Sequence, residues 1–522
     1  MEAAREFFGD RFVEYCINSP FDKIDTTTFS SEQQEAIESL ESIAQNARSA
    51  SENFQAQMAR ITVMQYVDTS QTSLPNALRE SCGGRVERKG SSDQVEAALF
   101  DIAGDVFPAA LFTPLPEDSL GSMLLAIPSG VTFQKPSVKP LPRLILSDPD
   151  LAKLFPGAPP ADTYDGMGLD VSSMIYWSTG SGSTLQLGSL AGQLLQSALH
   201  KTSNESTADE YFTLVRQSIQ QARALARNRK TKTTALIGIS NITIPDGSHV
   251  RLSGGTLRPS TPSDIRAFID ATDVKSVLEI ECQIEILGME PTAPAGEEQS
   301  SWDKFQSELS RAQSDLRRKV DLERLAILFS CEGSPHAPLG VATTINNPIL
   351  NGRTVGYSIH HSISHHSPLL EIDSVAAARA IEWSSKVAAN PGNLDMGMRR
   401  LLSATSERFD PMDSFVDAVI CWENLFGTNQ GEVGFRVAAS IAHTLEPNDP
   451  SNRKTLFTEI KKLYGVRSNL VHGTKEPNFV EAIKHRERSI EIAISAFKAL
   501  YERPELLTTD STSRGNLILV GG

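Results

Sequence analysis

An arginine and a histidine stand five residues apart in Arg467-Ser468-Asn469-Leu470-Val471-His472. A histidine titrating near neutral pH can take a proton from a hydroxyl or return one to a leaving oxygen. An arginine keeps its charge and offers a fork of donors that fits phosphate oxygens, including the extra charge of a phosphoryl transition state. Together they are sufficient chemistry for metal-free cleavage of RNA, in which the 2′-hydroxyl attacks the neighbouring phosphate. Asn469 lies between them with both donor and acceptor groups. The same residues also admit a structural account, an arginine paired with a buried carboxylate and a histidine closing a helix, and spacing alone leaves both open.

The element that must carry this segment is a helix over 453–472. Leu456, Ile460 and Leu463 form an apolar stripe that continues to Leu470 and Val471, and position 467 falls on it. A guanidinium there must find a carboxylate or phosphate partner, or line a cleft, because burying it alone costs several kcal/mol, of order ~5. His472 precedes Gly473, as suits the end of a helix. On a regular helix five residues turn the side chains apart by about 140°. Arg467 and His472 therefore converge only if the helix is distorted or if two copies of the segment meet across a dimer, which we favour. Glu423, in the apolar run Phe415–Phe426, is the expected partner of Arg467, with a supporting role. Tyr464, one turn before Arg467, either stacks on a base or packs in the core, and we favour the core.

Helical periodicity extends through 374–389, 411–426, 433–445, 453–472 and 478–501, with breaks at Pro391-Gly392, Gly427, Pro447-Asn448-Asp449-Pro450 and Gly473 to Pro477. Short connections of this kind favour an antiparallel bundle. The string Leu463-Tyr464-Gly465-Val466-Arg467-Ser468-Asn469-Leu470-Val471-His472-Gly473 resembles the signature of HEPN domains of the Apea-like group. The segment Phe415 to Phe426 resembles the helix that precedes it there. The resemblance covers about 130 residues and implies a dimerising bundle that often acts as an endoribonuclease without a metal. Arg467 and His472 then stand at the catalytic positions, with Asn469, Ser468, Glu423 and Tyr464 in support. It also implies RNA as substrate, a homodimer or higher oligomer, no cofactor, and service as a prokaryotic toxin or anti-phage defence effector, with a regulatory or antitoxin partner. Ser468 departs from the pattern, since Asn, Asp or His often follows the arginine in active members. The alternative is a non-catalytic module that dimerises or binds RNA or a nucleotide.

The rest of the chain reads as multidomain α+β. A mixed helical region is expected at 1–135, with a capping box at Ser31 and Gln34 opening a helical stretch to about Gln65. A Pro-rich linker follows at 136–164, and a strand-rich α+β domain at 165–370. In that domain a helix covers 207–230 and runs out into Arg227, Arg229, Lys230 and Lys232. Strands are expected at Thr234–Ile244, Val277–Leu287, Leu325–Cys331 and Thr354–Ser364, a hairpin turn at Asp246-Gly247, and a charged helix near Trp302–Leu322. The bundle occupies 371–502 and a frayed tail 503–522.

With 522 residues, 40% apolar and 22% charged, the composition is that of globular domains. A net charge of −15 argues against a broad basic coat for nucleic acid. Positions 451–500 nevertheless hold ten Lys and Arg against five Asp and Glu, a local excess that reads either as a solvated helix face or as a small phosphate-facing patch. Charged residues interrupt the first sixteen positions, so no secretory leader is expected there. Five scattered cysteines without a Cys-x-x-Cys pair argue against a zinc ribbon and a disulfide framework, and a cytoplasmic protein without membrane contact is expected. His360, His361, His365 and His366 fall on both faces of an extended strand, too spread for one metal ion. Thr179–Thr184 lacks the lysine of a phosphate-binding loop and reads as a flexible loop. The motifs of serine hydrolases and zinc proteases are absent from the sequence.

Overall fold

The structure is a computed structural model that describes residues 1–21, 29–51, 54–65, 72–113, 135, 138–177, 182–199, 201–261, 264, 274–288, 298–331, 336–338, 340–346, 350, 355–357, 369–428, 432–473 and 476–520. The chain is mixed α/β with a C-terminal helical bundle. The histidine cluster at 360–366 lies outside the described residues. So do positions 179–181 of the Gly-Ser loop, the rest of which forms a strand, Gly182–Gln186.

Two hydrophobic cores organise the described residues. The first joins α1 (Glu2–Phe8), α2 (Asp10–Ile17), α3 (Ser31–Ala47), α4 (Gln55–Val63), α5 (Leu74–Ser81) and α6 (Gln94–Val106) to the sheet. Its N-terminal centre is aromatic, with Phe12 stacked on Phe112 at 4.5 Å. The short α7 (Leu141–Ser147), then α8 (Leu187–Leu199) and α9 (Ala208–Ala226), pack in the same core. The main sheet is antiparallel in the order β10 (Val355–Tyr357), β9 (Gly340–Asn346), β3 (Thr231–Ile239), β7 (Ser276–Ile284), β6 (Thr256–Pro259) and β5 (Val250–Arg251). Its centre pairs β3 with β7 over nine residues. A smaller sheet pairs β1 (Ser172–Trp177) with β2 (Gly182–Gln186) and with β8 (Ile286–Gly288).

The helix α10 (Glu298–Ser330) belongs to both cores. Leu316, Val320 and Ile327 face the first, and Leu322, Leu325, Ala326, Leu328 and Phe329 the second. The expectation of a strand at Leu325–Cys331 is therefore corrected: Leu325 to Ser330 form the last turns of α10. The unbroken apolar run arises because those turns are buried on both sides, and such a run reads alike in a buried helix and a buried strand.

The second core is the bundle. It contains α11 (Ser374–Ala388), α12 (Asp395–Leu402) with a π-helical turn at Ser403–Glu407, α13 (Pro411–Phe426), α14 (Val433–Leu445), α15 (Pro450–Val471) and α16 (Phe479–Tyr501). At its centre is α13, which buries Phe415, Ala418, Val419, Cys421, Trp422, Leu425 and Phe426. Each large apolar side chain contributes about 1.5–3 kcal/mol there. The Trp422 indole N–H donates to the Ser489 carbonyl at 3.2 Å, fixing α13 against α16.

Several expectations need correction. The tail is not frayed: α17 (Pro504–Leu507) and α18 (Ser511–Val520) close over the end of α13. Arg514 is fully buried and donates to the carbonyls of Leu425, Leu506 and Thr509 at 2.6–2.9 Å. A cation on the last carbonyls of a helix satisfies groups that have no intrahelical donor. The Pro-rich stretch contributes Leu141, Ile145, Leu151, Leu154 and Phe155 to the first core. Its prolines break regular structure without detaching it from the fold. The capping box of α3 is Ser30 with Gln33, one residue earlier than expected. Asp246-Gly247 turns with Gly247 at φ +74, but β4 (Ile242–Thr243) pairs β11 (Leu370–Glu371) and β5 (Val250–Arg251) pairs β6 (Thr256–Pro259). It is a turn between strands with different partners, not a hairpin.

Candidate functional site

The start and end of α15 are set locally. Asp449 caps it by accepting from the amides of Ser451 and Asn452 at 2.9 and 3.0 Å, and Pro450 occupies the first helical position. The helix is continuous α-helix to Val471. His472 is its C-cap and donates its amide to the Ser468 carbonyl, while Gly473, at φ +64, donates to Leu470. That left-handed conformation suits glycine. Leu456, Ile460 and Leu463 are buried against the second core, which fixes the rotation of the helix and hence the direction of Arg467.

Arg467 points at the last turns of α13. Its Nη2 lies 3.3 Å from Glu423 Oε2, and the Tyr464 hydroxyl donates to Glu423 Oε1 at 2.5 Å. The guanidinium carbon sits 6.0 Å from the centre of the Tyr464 ring. One carboxylate thus holds a tyrosine and an arginine from successive turns of α15. Tyr464 is half-buried and packs against the second core, as favoured from the sequence, and its hydroxyl adds a hydrogen bond to that packing. Its hydroxyl is pushed up to about 12, by burial first and then by the bond to and charge of Glu423, with Arg467 acting in the opposite sense. The Arg467 and Glu423 side chains are 21% and 23% exposed, so the pair stands at the edge of the core. Arg467 Nε is buried and makes no hydrogen bond among the described residues. Only Nη2 of the fork reaches the carboxylate, and the side chain is partly exposed through atoms other than the buried Nε.

Two glycines shape this cluster: Gly427, expected as a helix break, and Gly434, which the sequence did not single out. A Cβ on Gly434, in the first turn of α14, would come 2.8 Å from the Tyr464 ring. A Cβ on Gly427 would come 2.3 Å from the Glu423 carbonyl, where the chain folds back over the end of α13. Gly434 lies beside a predicted helix start, the only sequence signal it offers, and its neighbour is 30 residues away in the chain.

Asn469 and His472 are exposed and Ser468 is half-buried, so the second half of the motif faces outward. Because the helix is regular, Arg467 and His472 diverge by about 140° within one chain. Tertiary structure therefore brings together Tyr464, Arg467 and Glu423, and leaves His472 apart from them. Around the helix end Val471, Phe479 and Val480 are 55–65% exposed. Lys454, Lys461, Lys462 and Lys484 are exposed on α15 and α16. Of the local positive excess, Arg488 is neutralised by Glu459 through a two-pronged pair at 2.9 Å.

No helix among the described residues is long and apolar enough to cross a membrane. Comparison of the chain with protein-family models, with curated proteins and with solved structures finds no match in any of the three.

Proposed function

We propose that the protein is a metal-independent endoribonuclease of the HEPN type, with Arg467 and His472 as its catalytic pair and the region before the bundle regulating it. The likeness to that family rests on the residues of α13 and α15 quoted above. The observation that carries the reading is the arrangement of Arg467, held by Glu423 at the partly exposed rim of the bundle, five residues before an exposed histidine at a helix end. In the proposed reaction the 2′-hydroxyl oxygen attacks the adjacent phosphorus and the 5′-oxygen bond breaks, giving a 2′,3′-cyclic phosphate and a 5′-hydroxyl. His472 moves the proton and Arg467 stabilises the added charge on the phosphate oxygens. Glu423 and Tyr464 orient the guanidinium, Ser468 and Asn469 support the helix end, and no metal takes part.

A regular helix separates the two side chains, so the site requires a second copy, with Arg467 of one protomer facing His472 of the other. The exposed Val471, Phe479 and Val480 beside His472 are apolar surface that such a dimer would cover. As a toxin or defence effector the protein would be restrained until triggered, and an antitoxin or regulatory partner would bind the region before the bundle.

The test uses the full chain with mixed cellular RNA in excess EDTA. Wild type should cleave and leave cyclic phosphate ends, and Arg467→Ala and His472→Ala should each abolish cleavage. Mixing the two inactive variants should restore about one quarter of wild-type activity, because half the dimers are mixed and each carries one intact site of two. Cleavage by His472→Ala at the wild-type rate would refute the assignment. RNA binding without cleavage, lost in Arg467→Ala, would favour the binding-module reading instead.

A further inference from the structure

Far from α15 in the sequence, the N-terminal helices form an open cleft of about 380 Å³. It opens where α2, the turn at 18–20, α5, the chain at 85–87, the end of α6 and the start of α9 meet. That size falls within the range of small-molecule sites. Three arginines line it, Arg11, Arg79 and Arg85.

Arg79 is fixed by neutral groups. It donates to the carbonyls of Tyr15 and Arg85 at 3.0 Å each and lies 4.5 Å over the Tyr15 ring. Carbonyl dipoles hold its position without cancelling its charge. Arg11 comes no closer than 3.9 Å to Glu14, beyond hydrogen-bond range. Arg85 is exposed and has no ion pair among the described residues, while its own carbonyl is held by Arg79 at the rim. Two carboxylates, Glu14 and Glu87, share the lining, and Phe107 and Leu111 give it an apolar wall. On another side stand Ser206 to Ala208, at the start of the 19-residue α9, whose first turn carries Asp209 and Glu210 and is closed by the Thr207–Glu210 capping box.

We propose that this cleft binds a phosphate ester the size of a nucleoside monophosphate. The phosphate would lie between Arg85 and Arg11, whose forks suit its oxygens, in the positive field of Arg79. The base would lie along Phe107 and Leu111, and sugar hydroxyls or base N–H groups would donate to Glu14 and Glu87. A bare anion would leave the apolar wall unused and would face two carboxylates without offering them donors. Four separate stretches of chain line the cleft, so the ligand clamps the N-terminal helices to α9. The proposal stands apart from Arg467 and His472, because binding is read without cleavage.

The experiment is calorimetric titration of the full chain with AMP, GMP, CMP, UMP and inorganic phosphate, for wild type, Arg85→Glu and Arg11→Glu. At least one nucleotide should bind wild type saturably, one per chain, and inorganic phosphate at least about tenfold more weakly. Each charge reversal should weaken the nucleotide by about tenfold or more. Far-UV spectra and melting curves matching wild type establish that the variants fold, as expected for exposed arginines outside the core. Absence of binding by all four nucleotides, binding indifferent to both variants, or phosphate binding as tightly as the nucleotide would each overturn the proposal.

Discussion

Replacing Glu423 by Gln tests whether the cluster on α15 acts as one unit. The substitution keeps the shape and one acceptor oxygen but removes the charge that faces the Tyr464 hydroxyl at 2.5 Å and Arg467 at 3.3 Å. A hydrogen bond to a charged acceptor contributes about 1.5–3 kcal/mol, and a partly exposed ion pair of that length at most about 1. Because glutamine retains a weaker bond to Tyr464, the expected loss is about 1–2 kcal/mol. The Tyr464 hydroxyl should also titrate below its present value of about 12, though above an exposed tyrosine, because burial is the largest cause of its shift and remains. The assay is urea unfolding followed by tryptophan fluorescence, to which Trp422 in the same core contributes, for Glu423→Gln, Tyr464→Phe and the double variant. Their coupling energy should be about 1 kcal/mol, with tyrosine absorbance across alkaline pH as the second readout. A coupling below about 0.3 kcal/mol, within the error of additivity, together with an unmoved tyrosine titration would refute the idea that Glu423 organises Tyr464 and Arg467.

Gly434→Ala should push the Tyr464 ring off Glu423, since the new methyl would meet it at 2.8 Å; the expected cost is about 1–3 kcal/mol, read as a lower urea midpoint and a lowered tyrosine titration. Arg514→Ala should destabilise the bundle by about 3 kcal/mol or more, because three buried carbonyls lose their donor; protease release of α18 from the folded chain would report it. Glu323 is buried, accepts from the Gly254 amide and the Ser384 hydroxyl, and is held above the usual carboxylate range by burial, against the pull of those two bonds. Its folded state holds the proton more tightly than the unfolded chain does, so stability falls as pH rises from the unfolded value through the folded one. Glu323→Gln, which can still accept from Gly254 and donate to Ser384, should therefore equal or exceed wild type at pH 7, and wild type should gain on it as pH falls towards 4.5. A constant difference across that range in urea midpoints would contradict the burial argument.

The bundle was the most legible part of the chain. Its helices carry apolar residues at three- and four-residue spacing, and Gly473 marks an end, although the helix expected from 453 begins three residues earlier, at Pro450 behind its cap Asp449. Such signals involve neighbours within four residues, so the sequence states them directly. The pairing of Arg467 with Glu423 was legible for a related reason. A permanent charge on an apolar stripe demands a counter-charge, and Glu423 was the carboxylate set in the most apolar helix nearby.

What the sequence could not state were properties shared between distant segments. The run Leu325 to Phe329 is equally apolar in a strand and in a helix buried on both sides, and only the existence of two cores around α10 decides between them. The tail looked too polar to pack, yet Arg514 finds carbonyls that the end of α13 leaves exposed to it. The N-terminal cleft draws on residues 11, 79, 85 and 206, whose spacing carries no period. The sequence by itself determined the helices, their ends and the side chains that need partners, because those follow from local periodicity and charge. Tertiary structure alone decided which partners they meet, because burial of one segment by another depends on contacts between residues far apart in the chain.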